Sequence, residues 1–235
     1  MRATGFIVDV DGHRYLVTAR HNVFPTQVNI PNPRTGGSYL RYNADFQANI
    51  LDVYFPHGGD WSHHRIQLSN LPPHKIITTP ESDLLAVQLP QNIEIHDATS
   101  FTPEDIQTDV EPNESLVAYG YGQNSLPDES IDYTVSEYPY EIKTPQELTL
   151  SAVPLPADGF DSISNVIGTA IDEESSSAYL YNGLSGSPVL GDGLVGIYTS
   201  SSEFPEEVGN ANPSLVGTTR VDYVSSNLIS TALRL

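Results

Sequence analysis

Apolar residues recur along the chain in short runs rich in Val, Ile, Thr and Tyr, separated by Gly, Pro, Asn and Asp. That is how β-strands and their turns alternate, and sustained helical periods are nearly missing. "TGFIVDV" and "HRYLVTAR" flank Asp11-Gly12, a dipeptide suited to a tight hairpin turn, and predict two antiparallel strands ending at His21. Residues 22–82 are loop-rich, with "PNPRTGG" and "NLPPH" as breakers around strands expected near Ile50 to Phe55 and Arg65 to Leu68. "DLLAVQL", Asp83 to Leu89, restores a clear strand. From Pro90 to Glu114 the chain turns acidic and polar, as a connector with a solvated face does. Beyond it "SLVAYGYG", "YEIKT", "ELTLSAVPL", "SNVIGTAI", "SAYLY", "SPVLG", "LVGIYTS" and "SLVGTTRV" each predict a short strand. Such spacing suggests a barrel or a sandwich. At the end, Val224, Leu228, Ile229 and Ala232 recur at helical spacing after Asp222, a plausible N-cap, and predict a C-terminal helix.

The expected organisation is therefore an N-terminal half over 1–95, a connector over 96–114, a second half over 115–221 and a helix over 222–235. A chain of 235 residues buries a substantial core, as one β domain or two lobes.

Charge narrows the partners. With 30 acidic against 10 basic residues the formal charge is -20, so phosphate backbones and anionic membrane surfaces are repelled over most of the molecule and neither is an expected partner. Lys75 and Lys143 are the only lysines, a skew that suits a high-salt environment, where screening relieves self-repulsion, and equally an ordinary acidic surface. With 0 cysteines, disulfides, thiol catalysis and Cys-type zinc sites are excluded. No run approaches the ~18 apolar residues of a membrane span, and no signal-peptide pattern opens the chain. The expectation is a soluble protein, cytoplasmic if the chain is complete.

Histidine, carboxylate and serine are the candidate chemical groups. "DVDGH" offers Asp9 and Asp11 to calcium, but no further ligands follow at the required spacing, so the stretch is a turn. His63-His64, with His57 and Asp60 nearby, suggests metal; neighbours on a strand point to opposite faces, so polar loop histidines are expected instead and no metal is predicted. His21 closes an apolar strand, where a ring has one packed and one open side. Asp83 stands at the mouth of another, where a carboxylate needs a hydrogen-bond partner such as an imidazole N–H. In "GLSGSP", Gly183 and Gly186 let the backbone turn sharply around Ser185, so that the N–H groups of Gly183 and Ser185 can point at one spot. Each motif alone also fits a structural role.

Together, and in this order, "VTARH", "DLLAVQL" and "GLSGSPV" resemble the histidine, aspartate and serine motifs of the chymotrypsin-like (trypsin-like) serine peptidase family, especially its disulfide-free bacterial members. "LVGIYTSS" is similar to the strand that follows the nucleophile and lines the cleft, and the likeness runs from Thr4 onward. The resemblance implies an all-β fold of two antiparallel, six-stranded-type β-barrels with a C-terminal helix. It implies Ser185 as nucleophile, His21 as general base and acid, and Asp83 as the group that orients the imidazole. Gly183 and Ser185 would supply the oxyanion hole through backbone N–H, Thr199 a hydroxyl supporting Asp83, and no cofactor is needed.

Departures from the family carry information too. Leu184 stands where many digestive-type members keep an Asp that pairs with a new N-terminus, so activity without N-terminal processing is expected. Tyr179 occupies the position of the trypsin pocket-floor Asp, and Tyr198, Thr199, Ser200 and Ser201 the facing wall. An aromatic-lined pocket for a neutral side chain follows. The chain begins almost at the strand leading to the histidine, so the first barrel is expected to be shortened or completed by a partner domain or chain. Ser187 is expected to be structural. The function expected is serine endopeptidase action on protein or peptide substrates; the alternative is a peptidase-like binding module without turnover.

Overall fold

A computed structural model describes residues 3–24, 27–31, 38–42, 50–57, 60–79, 83–95, 97–98, 100–107, 110–111, 114–121, 146–152, 166–171, 184–203 and 219–234. The expected strands at "YEIKT" and "SAYLY" lie outside these residues.

The first hairpin forms as its turn dipeptide predicts. Strands β1 (Phe6–Val10) and β2 (His13–Ala19) pair antiparallel from Phe6↔Val17 to Val10↔His13. Asp11 and Gly12 both adopt positive φ, at 51° and 75°, the twist that matches a two-residue hairpin. Asp9 closes the turn by accepting from the Gly12 N–H at 3.0 Å. Two further hairpins follow in the loop-rich segment, β3 (Gln27–Pro31) with β4 (Ser38–Tyr42), and β5 (Ile50–His57) with β6 (Asp60–Gln67). His63 and His64 therefore lie on a strand and not in a loop. As the strand pleat requires, they diverge: His63 stacks on Tyr54 with centroids 4.6 Å apart, while His64 tilts against Phe55 at 5.8 Å. Among the described residues no group of three or more His, Cys, Asp or Glu is placed to hold a metal.

Strands β7 (Ile76–Thr79), β8 (Leu84–Gln88) and β9 (Ser100–Phe101) complete a sheet in the order β7-β8-β2-β1-β9. Among the described residues this half comprises that five-stranded sheet and the two separate hairpins, which do not by themselves show a first barrel. The second half differs. Strands β10 (Ser115–Gly120), β11 (Gln146–Ala152), β12 (Val166–Ile171), β13 (Pro188–Leu190), β14 (Leu194–Glu203) and β15 (Thr219–Ser225) hydrogen-bond in the ring β10-β11-β12-β15-β14-β13, closed by β13 on β10. Helix α1 (Ser226–Leu233) starts later than its spacing suggested, because Asp222 is still paired in β15; Ser225 is the N-cap, its side chain accepting from the Asn227 N–H at 3.1 Å.

Continuous apolar runs belong to strands buried on both faces. In β8, Leu85 and Val87 join a core inside the N-terminal half, whereas Leu84 and Ala86 turn to a second cluster shared with Leu194, Ile197, Val224, Ile229 and Leu233 of the other half. β1 alternates the same way, with Ile7 inward and Phe6 and Val8 in the shared cluster. A third cluster, including Leu116, Leu184, Val189 and Tyr223, fills the ring. The seam is thus a core in its own right, and burying each Leu or Ile side chain there is worth about 1.5–3 kcal/mol.

The acidic connector also does more than span. Its β9 adds to β1 in parallel, and Ile106 bridges to Leu194 of β14. Gln107 then donates its N–H to the Leu194 carbonyl at 3.0 Å and accepts the Gly193 N–H on Oε1 at 3.1 Å.

Candidate active site

Asp83 is the first element of the site. β8 pairs with β2 as far as Ala19↔Leu84. There Asp83 takes φ 56°, a left-handed conformation that Asp tolerates better than most residues. Its carbonyl accepts the Arg20 N–H at 2.7 Å and its Oδ1 the His21 N–H at 2.9 Å. These bonds draw the chain off the ladder, so β2 ends at Ala19 and His21 sits in the 3-10 turn Arg20–Asn22, two residues beyond the strand. The second carboxylate oxygen, Oδ2, lies 2.6 Å from His21 Nδ1. A carboxylate only accepts, so Nδ1 is the donor in this bond, which leaves Nε2 as the acceptor in the neutral form of the ring. The side chains are 29% and 18% exposed, a half-buried setting in which a charge-assisted hydrogen bond outweighs its solvated equivalent.

Arg20, beside the histidine, is itself buried; its Nε donates to Thr78 Oγ1 at 3.0 Å and its guanidinium lies 5.3 Å from the centre of the Phe24 ring. The turn that carries His21 is therefore tied to β7 as well as to β8.

Ser185 occupies a tight turn before β13. The Ser187 N–H returns to the Leu184 carbonyl at 2.8 Å, with Gly186 between them at φ 93°. A side chain at Gly186 has no room: its Cβ would lie 2.0 Å from the Thr4 carbonyl and 2.2 Å from Thr18 Oγ1. Leu184 is buried in the core of the ring and anchors the turn by packing. The Ser185 N–H donates to no neighbour among the described residues. Its expected companion donor Gly183 lies outside them, as does Tyr179.

The Ser185 hydroxyl donates to the Thr199 carbonyl at 3.0 Å. That carbonyl is available because β14 and β15 shift register between Tyr198 and Ser200, leaving Thr199 at a bulge. Among the described contacts Ser185 Oγ and His21 Nε2 are not hydrogen-bonded. Tyr198, expected to face a substrate, is 1% exposed and belongs to the core of the ring. Ser200 and Ser201 continue β14, opposite Asp222 and Val221. Ser187 is buried, its Oγ 2.0 Å from where a Cβ on Gly120 would stand and without a hydrogen-bond partner among the described residues.

Two residues absent from the sequence reasoning join the halves at this turn. Asn22 Nδ2 donates to the Ser185 carbonyl at 2.7 Å and to Thr18 Oγ1 at 3.0 Å. Thr4 donates its N–H to the same Ser185 carbonyl at 3.2 Å, and its Oγ1 accepts the Tyr121 N–H at 2.9 Å. Neither Asn22 nor Thr4 shows a motif of its own; the one signal was their position beside His21 and at the start of the first strand.

No family model and no curated protein matches this chain. Among solved structures it is similar to an HtrA-type protease with a decapeptide, at TM-score 0.49 and 14% identity over 98% of this chain and 48% of that one. It is also similar to a thermostable serine protease from an extremophilic microorganism, at TM-score 0.44 and 12% identity over 95% of this chain and 83% of that one. A mutant of the Tobacco Etch Virus protease aligns at TM-score 0.38 and 12% identity, over 94% and 71% of the two chains. This chain thus spans about half the length of the HtrA-type chain.

Proposed function

We propose that the chain is a serine endopeptidase with the two-barrel, chymotrypsin-like arrangement, in which Ser185 attacks the scissile carbonyl of a protein or peptide substrate. The observation that carries this reading is the bond of 2.6 Å between His21 Nδ1 and Asp83 Oδ2, with the Ser185 turn fastened to the residue after that histidine. A surface His–Asp pair has no reason to be coupled to a serine from the other half of the chain.

In the proposed mechanism the Ser185 hydroxyl leaves the Thr199 carbonyl and turns to His21 Nε2. Hydrogen bonds between catalytic groups are often made only once substrate is bound. His21 takes the hydroxyl proton as Oγ forms the bond to the carbonyl carbon, then passes it to the departing amine, and Asp83 stabilises the imidazolium between those steps. The Ser185 N–H, with that of Gly183, receives the oxyanion. Water then repeats the sequence on the acyl-enzyme, with the same histidine as base and acid. Thr199 supports the site, and a neutral side chain precedes the cleaved bond, since Tyr179 and Thr199 to Ser201 include no acid to pair with Lys or Arg. Leu184 holds the turn by burial, so no ion pair from a newly cut N-terminus is required.

The bond from Ser185 to Thr199 favours a second reading, a peptide-binding module that holds its substrate without turnover. Hydrolysis of an unfolded protein substrate separates the two. The endopeptidase reading predicts new N-termini generated by the native chain and a rate about 10⁶-fold lower for Ser185→Ala; a native chain that binds the substrate and leaves it intact identifies the module.

A further inference from the structure

The peptide group that leaves Ser185 is held by the N-terminal half of the molecule. Its carbonyl accepts from Asn22 Nδ2 at 2.7 Å and from the Thr4 N–H at 3.2 Å. Behind these donors, Asn22 Nδ2 also donates to Thr18 Oγ1, and that hydroxyl donates to the Thr4 carbonyl at 2.7 Å. Gly186 fits against the same three residues, with no space for a Cβ. The direction of a carbonyl fixes the ψ angle of its own residue, and hence where its Cβ stands and on what arc the side-chain torsion carries Oγ. Asn22 follows His21 in one 3-10 turn, so the clamp on the nucleophile and the general base move as a unit.

We infer that Asn22 is a positioning residue for the reaction, clamping the Ser185 carbonyl so that the hydroxyl and the N–H of Ser185 are held in register with His21. This rests on the peptidase reading. Thr18 orients the Asn22 amide, and Thr4 supplies the second donor from its backbone. The clamp acts on the Ser185 carbonyl, so its effect is expected in the chemical step and not in binding. A displacement of about 1 Å at reacting atoms costs on the order of 10²-fold in rate.

The test compares the native chain with Asn22→Ala and with Asn22→Asp, which keeps the shape of the side chain and replaces the donor by an acceptor. Two quantities are read per mole of folded protein: the rate of phosphonylation by an alkyl fluorophosphonate, and kcat and KM on a peptide substrate. The clamp predicts that both variants lose about 10- to 100-fold in phosphonylation rate and in kcat, with KM within about twofold of native. If Asn22→Ala fails to fold, Asn22→Asp and Thr18→Val carry the same expectation. A native chain that labels, with folded variants that label as fast or that change KM alone, overturns the clamp and leaves the peptidase reading standing. A folded native chain that does not label overturns both.

Discussion

Asp83 shows how much a single residue is asked to do. It turns the chain at φ 56°, accepts two backbone N–H groups through its carbonyl and Oδ1, and keeps Oδ2 for the imidazole. Asn tolerates the same left-handed backbone, so Asp83→Asn leaves the turn intact and removes the charge that selects the Nδ1–H tautomer. The expected outcome is a fall in kcat of about 10⁴-fold with near-native stability, read by steady-state kinetics beside a thermal melt. The pairing of His21 with Asp83 was legible in the sequence because each stands at the edge of an apolar strand. Asn22 and Thr4 were not, since their roles depend on a carbonyl distant in sequence. Tyr198 misled for a related reason: position along a strand does not reveal which cluster a ring enters, and this one is packed inside the ring.

At the scale of elements, turn chemistry and strands buried on both faces could be read directly. β1, β2 and β8 emerged nearly whole because Asp11-Gly12 sets the hairpin and because their two faces serve two cores. The hairpin of β3 and β4 was missed in a stretch crowded with Pro and Gly, and β9 is two residues long, held by its parallel pairing to β1 and by the burial of Phe101 against Phe6. The β5–β6 hairpin carries its own electrostatic signature. Asp52 receives Arg65 Nε at 2.8 Å and lies 2.8 Å from His63 Nε2. The Arg65 hydrogen bond, aided by His63 and opposed by partial burial, holds the Asp52 carboxyl below the usual carboxylate range. A depressed carboxyl stabilises the fold at pH values above its unfolded pKa, about 4, and loses that contribution as the pH falls through the folded value. The pair is well exposed, so its worth is about 0.5 kcal/mol. Urea denaturation of Asp52→Asn against the native chain checks this: a small deficit at pH 7 that shrinks toward pH 3 is expected, and a deficit independent of pH is the contrary result.

For the molecule as a whole, the decisive feature is the seam. Phe6, Val8 and Leu84 from one half meet Ile197, Val224 and Ile229 from the other in one buried cluster, so the two halves that carry His21 and Ser185 are held by a hydrophobic core as well as by the Asn22 and Thr4 hydrogen bonds. The seam was not visible in the sequence, because an apolar residue does not announce which of two cores it joins. The net charge of -20 works against this compact state. Raising salt from about 0.1 M to about 1 M shortens the screening length from about 10 Å to about 3 Å, and the melting temperature is expected to rise across that range; a flat or falling Tm would show that self-repulsion is not a significant cost. The central claim remains that Ser185 is a nucleophile activated from the opposite half, and mapping the adduct of an alkyl fluorophosphonate by mass spectrometry tests it most directly. One phosphonyl group per chain on the peptide containing Ser185, absent in Ser185→Ala and in His21→Ala, is the predicted result; a folded native chain with no adduct, or with its adduct on another residue, would contradict it.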